Sequence, residues 1–269
     1  MKRVWGKVIA AVSLLGCGVA SMAACKHDDS TLFVEDVLLA PLVTSGQQCL
    51  FTNDPTQPHI SSGVLDYGLR QEYDPTYLIG NQSVPEVNSQ QLQTETNIIT
   101  VQGAIVRITD SSGTQLATFT RLASATVYPS SGSVPGYAPI TVTTIDSTTL
   151  ATSAEVQGTI MSNGTFRVVT YVKFFGQTTG GNYIESDEFE FPVDVCYGCL
   201  VGYSAADENP QAKTPNCLLA GASASTSLPS PCVPGQDFTL DCSQCLGLAV
   251  CQGQYATQTF DAGTDAAGE

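Results

Sequence analysis

Seven of the ten cysteines fall between Cys196 and Cys251, in a stretch otherwise filled with Pro, Gly, Asn and Ser. A segment so poor in apolar clusters cannot build a core of its own and needs covalent cross-links. How the ten thiols divide among anchor, disulfides and metal therefore limits the fold more than any other feature. Two Cys-x-x-Cys pairs, Cys196/Cys199 and Cys242/Cys245, have the form of a four-cysteine zinc site, because tetrahedral zinc takes four thiolates from two tight turns. Further cysteines intervene between the pairs, however, and the N-terminus marks the chain for an oxidising compartment, so disulfides are the expected use. A thioredoxin-like redox pair would require a helix N-terminus in a βαβ setting, which this sequence does not offer.

Residues 1–24 read as an export signal. MKRVWGK is basic, VIAAVSLL is apolar, and small residues close the segment. The 17 residues from Val8 to Ala24 carry no charge, a short run for a spanning helix and one interrupted by Gly, Ser and Cys. Two cysteines have lipobox-like surroundings. Leu14-Leu15-Gly16-Cys17 places a bulky Leu15 next to the small residue, whereas Met22-Ala23-Ala24-Cys25 offers two small residues before the cysteine. In lipoproteins of this kind the cysteine becomes the acylated N-terminus, and several acyl chains together hold a protein on a bilayer. Parity favours Cys25 over the alternative Cys17. Cleavage before Cys25 leaves Cys49, Cys196, Cys199, Cys217, Cys232, Cys242, Cys245 and Cys251, an even set with no stranded thiol. Cys49 is the lone early member, so its partner is expected in the C-terminal cluster. Cleavage at the Ser21-Met22-Ala23 site would instead release a soluble secreted or periplasmic protein.

The organisation that follows is a signal peptide over 1–24, a lipidated tether over 25–31, and a β-sandwich over 32–195. A Cys-rich, disulfide-stapled segment over 196–256 and a disordered acidic tail over 257–269 complete it. The fold class is mainly β: an antiparallel β-sandwich, loosely immunoglobulin-like, followed by a disulfide-rich, loop-rich C-terminal segment. AEVQGTIMS and TFRVVTYVKFF flank Asn163-Gly164 and predict a hairpin with Met161 beside Phe166 and Val156 beside Tyr171. GAIVRITD and TQLATFTR predict a second hairpin around Ser111-Ser112-Gly113. From Glu188 to Val195 the period is two. Phe189, Phe191, Val193 and Val195 share one face, and Glu188, Glu190, Pro192 and Asp194 share the other. Pro192 donates no backbone hydrogen bond, which places this strand at a sheet edge.

Composition and motifs narrow the function by exclusion. The formal charge is −15, and a chain beginning at Cys25 has 25 acids against 7 bases, so nucleic acid is not an expected partner. Only His27 and His59 are present. His27 falls in the tether, which leaves one histidine for the folded part and argues against multi-histidine metal sites and a Ser-His-Asp triad. No P-loop, Rossmann fingerprint, H-E-x-x-H or G-x-S-x-G occurs. The sole tryptophan, Trp5, is in the signal, so the mature chain lacks the flattest sugar-stacking face. Tyr67, Tyr73 and Tyr77 are read as strand residues with hydroxyls at the rim. Asp110-Ser-Ser-Gly113 and Ala206-Asp207-Glu208-Asn209 are read as turn chemistry rather than calcium loops.

The lipobox-like end, the segment VKFFGQTTGGNYIESDEFEFPVDVCYGCLV, the later CVPGQDFTLDC and the small acidic tail together resemble exported lipoproteins of myxobacteria and related deltaproteobacteria. The resemblance implies a lipid-anchored outer-membrane or cell-surface location and brings no activity with it. The expected protein is non-catalytic, binds no cofactor or metal, and meets the membrane through its acyl chains. Its role is structural, adhesive or binding, with an envelope protein or polysaccharide as the candidate partner. Two alternatives stand beside this reading: an envelope carbohydrate-active enzyme using paired carboxylates, and a zinc- or calcium-binding module.

Overall fold

The structure, a computed structural model, describes residues 31–43, 48–86, 94–162, 164–203 and 229–252. The strands in chain order are β1 (Leu32–Leu38), β2 (Leu42–Val43), β3 (His59–Ile60), β4 (Gly63–Asp66), β5 (Thr76–Asn81), β6 (Ile99–Asp110), β7 (Gln115–Val127) and β8 (Gly136–Thr141). Helices α1 (Ser147–Thr152) and α2 (Ala154–Met161) follow. Then come β9 (Phe166–Thr178), β10 (Tyr183–Glu185), β11 (Phe189–Cys196), β12 (Val201–Gly202), β13 (Ser230–Pro231) and β14 (Leu240–Asp241).

These strands form a mainly antiparallel sandwich. One sheet has the order β3-β1-β5-β8; the other runs β4-β11-β9-β6-β7, with β10 also on β9. Only β4 breaks the antiparallel pattern of the two main sheets, lying parallel to β11. Strand β9 shows why the larger sheet forms. Val168, Thr170, Val172 and Phe174 alternate inward, while Arg167, Tyr171 and Lys173 alternate outward. The outward face is laced by cross-strand contacts: Arg167 chelates Asp194 directly opposite at 2.7 Å, and the Arg107 guanidinium lies 3.9 Å over the Tyr171 ring.

One apolar core fills the space between the sheets. Tyr77 meets Phe174 edge-on at 5.3 Å and Phe189 at 6.0 Å, and Tyr73 stacks on Phe191 at 6.3 Å. Tyr73 and Tyr77 are fully buried and Tyr67 is half-buried. Two of the three tyrosines thus carry their hydroxyls into the interior rather than to the rim.

The β6–β7 hairpin has the expected loop. Asp110 Oδ1 accepts from the Ser112 amide, the Ser112 hydroxyl and the Thr114 amide at 2.7–2.8 Å, and Gly113 takes φ +88°. The other hairpin does not form. Residues 154–161 are helix α2, with Ser153 accepting from the Val156 amide at its N-terminus and Val156 and Ile160, one turn apart, buried. Strand β9 pairs instead with β6 and β11, so Met161 and Val156 have no register with Phe166 and Tyr171. Asn163 lies outside the described residues.

Strand β11 keeps its predicted alternation but not its predicted edge. It lies between β9 and β4. Because β4 pairs only from Val193 to Cys196, Pro192 sits just before that pairing begins, where the missing N–H interrupts nothing.

The Cys-rich segment has a small core, and it rests on cross-links as expected. Leu240, Cys242, Cys245, Val250 and Cys251 cluster with Leu69, Tyr197, Val201 and Tyr203 packed against them. Half-cystines replace the missing aliphatic residues, and neighbours from earlier in the chain supply the rest.

Candidate functional site

The polar chemistry of the described residues concentrates around β4. This strand is short, yet it is held on both sides: by β11, and by residues 235–237 of the Cys-rich segment. The Asp66 amide donates to the Gly235 carbonyl at 2.9 Å and the Asp237 amide to the Val64 carbonyl at 3.0 Å. The segment is thereby laid down as a further strand-like rung on β4.

Asp66, at the C-terminal end of β4, is fully buried. Its Oδ1 accepts from the Gly198 amide at 2.8 Å and the Gly68 amide at 3.0 Å, and its Oδ2 from the Leu200 amide at 2.9 Å. Removal from water pushes this carboxyl above the usual range, and the backbone amides that stabilise its charge offset only part of that. Two of those amides belong to the turn that carries the Cys196–Cys199 disulfide, in which Gly198 adopts φ +75°. Cys196 is buried and Cys199 is exposed. An Asp66 oxygen and both sulfurs lie within 4.8 Å of one another. Three such donors in that space have the spacing of a metal set, but sulfurs bonded to each other are not thiolates and make poor ligands.

A second, half-buried carboxyl faces the opposite end of β4. Asp237 has φ +62°, a left-handed conformation uncommon for a side-chain-bearing residue. Its carboxylate accepts from the Val64 amide at 2.9 Å and from the Tyr73 hydroxyl at 3.0 Å. Burial again raises the carboxyl, with Val64, Tyr73 and Gln236 opposing. Gly63 makes the contact possible: a Cβ there would fall 2.0 Å from the Tyr73 hydroxyl oxygen and 3.1 Å from Asp237. Gln236 completes the lock, its Oε1 accepting from the Asp74 amide at 2.9 Å and its Nε2 donating to the Asp74 carbonyl at 3.2 Å.

All seven cysteines among the described residues are in disulfides. Cys49 bonds Cys232, in the C-terminal cluster, across 183 residues of sequence, and Cys245 bonds Cys251. Only the first Cys-x-x-Cys pair closes on itself. Cys245 turns to Cys251 and Cys242 is bonded elsewhere, so the two pairs do not assemble into one four-thiolate set. Cys17, Cys25, Cys217, His27 and the Ala206–Asn209 carboxylates lie outside the described residues. His59 sits at the edge strand β3 with its side chain 56% exposed, 3.9 Å from Asp36. Asp66 and Asp237 were not singled out by the sequence. Their one local signal is a carboxylate beside glycine, in Asp66-Tyr67-Gly68 and Gly235-Gln236-Asp237, and surface turns carry the same pattern.

No family model matches the chain, and no curated protein does. Among solved structures it is similar to the solution structure of a putative late embryogenesis abundant protein. That alignment covers 70% of this chain and 86% of that one at 10% identity, with a TM-score of 0.29.

Proposed function

We propose that this chain is a lipid-anchored protein of the bacterial cell envelope, acylated at Cys25 and held at the outer membrane or cell surface, where its β-sandwich serves a non-catalytic structural, adhesive or binding role. The observation that supports this reading is the full oxidation of the seven described cysteines. Cytosolic thiols are kept reduced, so a chain cross-linked this heavily belongs to an oxidising compartment. The same bonds sharpen the parity argument. With Cys49–Cys232, Cys196–Cys199 and Cys245–Cys251 formed, an eight-cysteine mature chain leaves Cys217 as the partner of Cys242 and Cys25 free to carry lipid.

Intact-mass measurement on protein extracted from membranes, with and without reduction, tests this. The expected result is a chain starting at an acylated Cys25 whose mass rises by four disulfides' worth of hydrogen on reduction. Cys25→Ser should move the protein from the membrane to the soluble fraction. An unacylated N-terminus, free thiols, or zinc held by four thiolates would each overturn the reading.

A further inference from the structure

We propose that the Cys196–Cys199 disulfide is a thiol–disulfide exchange site that accepts electrons from the dithiol of a partner protein, with Asp66 supplying the proton to Cys196 Sγ. This goes beyond the envelope reading, which concerns address and attachment, and it does not require the lipid anchor.

Three observations carry it. The two sulfurs are unequal: Cys199 is exposed and Cys196 is buried, so an incoming thiolate can reach only Cys199. The leaving sulfur, Cys196, is the one enclosed with a buried carboxyl, Asp66, whose oxygen lies within 4.8 Å of both sulfurs. The turn is also held independently of the disulfide, because Asp66 accepts the amides of Gly198 and Leu200 and the Tyr67 amide donates to the Cys196 carbonyl at 2.8 Å. Opening the bond therefore leaves both sulfurs in place, with the Leu65 carbonyl 3.6 Å from Cys196 Sγ as an acceptor for the new thiol.

The chemistry balances. A partner thiolate attacks Cys199 Sγ; the sulfur–sulfur bond breaks, and its electron pair goes to Cys196 Sγ, which takes the Asp66 proton. A thiolate left beside a carboxylate in this buried position would be unfavourable, so protonation on departure is what makes the step accessible. The partner's second thiol, deprotonated to water, then attacks the mixed disulfide, and Cys199 leaves and is protonated from solvent. Two electrons and two protons pass from the partner, which is oxidised to its disulfide, and Asp66 is reprotonated from solvent.

The groups around Asp66 that titrate are Tyr197 on the same turn, whose phenol is raised by burial and by Asp66, and Asp237 with Tyr73 along β4. Arg70, on the turn after β4, is paired with Asp74. Asp66, at the end of β4, is therefore the carboxyl that shares the space of the two sulfurs, within 4.8 Å of both.

The test uses the folded full chain, a small dithiol reductant in limiting amount, alkylation, and peptide mapping over a range of pH. Cys196 and Cys199 should become alkylatable about tenfold before Cys49 and Cys232, which are the internal control because Cys49 is also exposed. The rate constant per reductant thiolate should fall as pH rises through the Asp66 titration. In Asp66→Asn it should be lower and flat. Opening of Cys49–Cys232 as fast as Cys196–Cys199, or a flat profile in the unmodified protein, would overturn the proposal. The second criterion needs no variant, so it stands even where Asp66→Asn fails to fold.

Discussion

Two tyrosines four residues apart, both fully buried, have opposite relations to the groups around them. The Tyr73 hydroxyl donates to Asp237, so Tyr73→Phe leaves a half-buried carboxylate short of a donor and should cost about 1–3 kcal/mol in chemical denaturation. The Tyr77 hydroxyl lies beside Thr170 and Thr144 but has no partner at good hydrogen-bond geometry among the described residues. Its polar neighbours, Thr170 and Thr144, donate to the Phe191 and Tyr73 carbonyls. Tyr77→Phe should therefore be neutral or slightly stabilising, and a loss comparable to that of Tyr73→Phe would refute this account. Asp237 adds a pH signature. Its folded pKa is raised, so its contribution is fully present below the unfolded value, about 3.9, and is lost as pH rises through the folded value. The stability of the natural protein relative to Asp237→Asn should decline as pH is raised from about 4, and denaturation midpoints taken along that rise measure the sign. None of this was legible in the sequence, because a buried and an exposed Asp look alike until their neighbours are known.

At the scale of elements, periodicity was a good guide wherever one face meets the core and the other meets water. Phe189 to Val195 alternate as read, and Ser111 to Gly113 turn as read. It failed at residues 154–161, where Val156, Thr159, Ile160 and an Asn-Gly dipeptide imitate a strand and its turn. The cap residues decide that segment. Asp146 accepts the Thr149 amide at 2.8 Å and the Thr149 hydroxyl at 2.7 Å, while Ser153 closes α1 and opens α2. Asp146→Ala should cost about 1–2 kcal/mol, since it removes a cap and the partner of Arg121. Ser153→Ala should cost nearer ~1 kcal/mol. Thermal midpoints of the two variants check the order. The edge position inferred from Pro192 failed for a related reason. A proline interrupts a ladder only where a neighbouring strand asks for its N–H, and β4 stops one residue short.

For the whole molecule, the cross-link of greatest reach is Cys49–Cys232, which ties the Cys-rich segment back to the N-terminal part of the sandwich across 183 residues. Replacing both with Ser should lower unfolding stability by about 2–5 kcal/mol, measured by denaturant titration. The loss should be less than total collapse, because Asp66, Gln236 and Asp237 bind the segment to β4 independently. Peptide mapping of the non-reduced protein should find Cys217 joined to Cys242.

The sequence by itself determined a mainly β chain, the alternation of Phe189 to Val195, and a heavily cross-linked C-terminal segment. These follow from local spacing and composition, which travel with the chain. The tertiary structure alone decided which cysteines meet, that one Cys-x-x-Cys closes while the other does not, and that Asp66 is taken out of water and Asp237 half-buried at the two ends of a short strand. Those outcomes depend on residues far apart in the sequence, such as Asp66 and Leu200 at a separation of 134, arriving at one place. No local pattern records such a meeting.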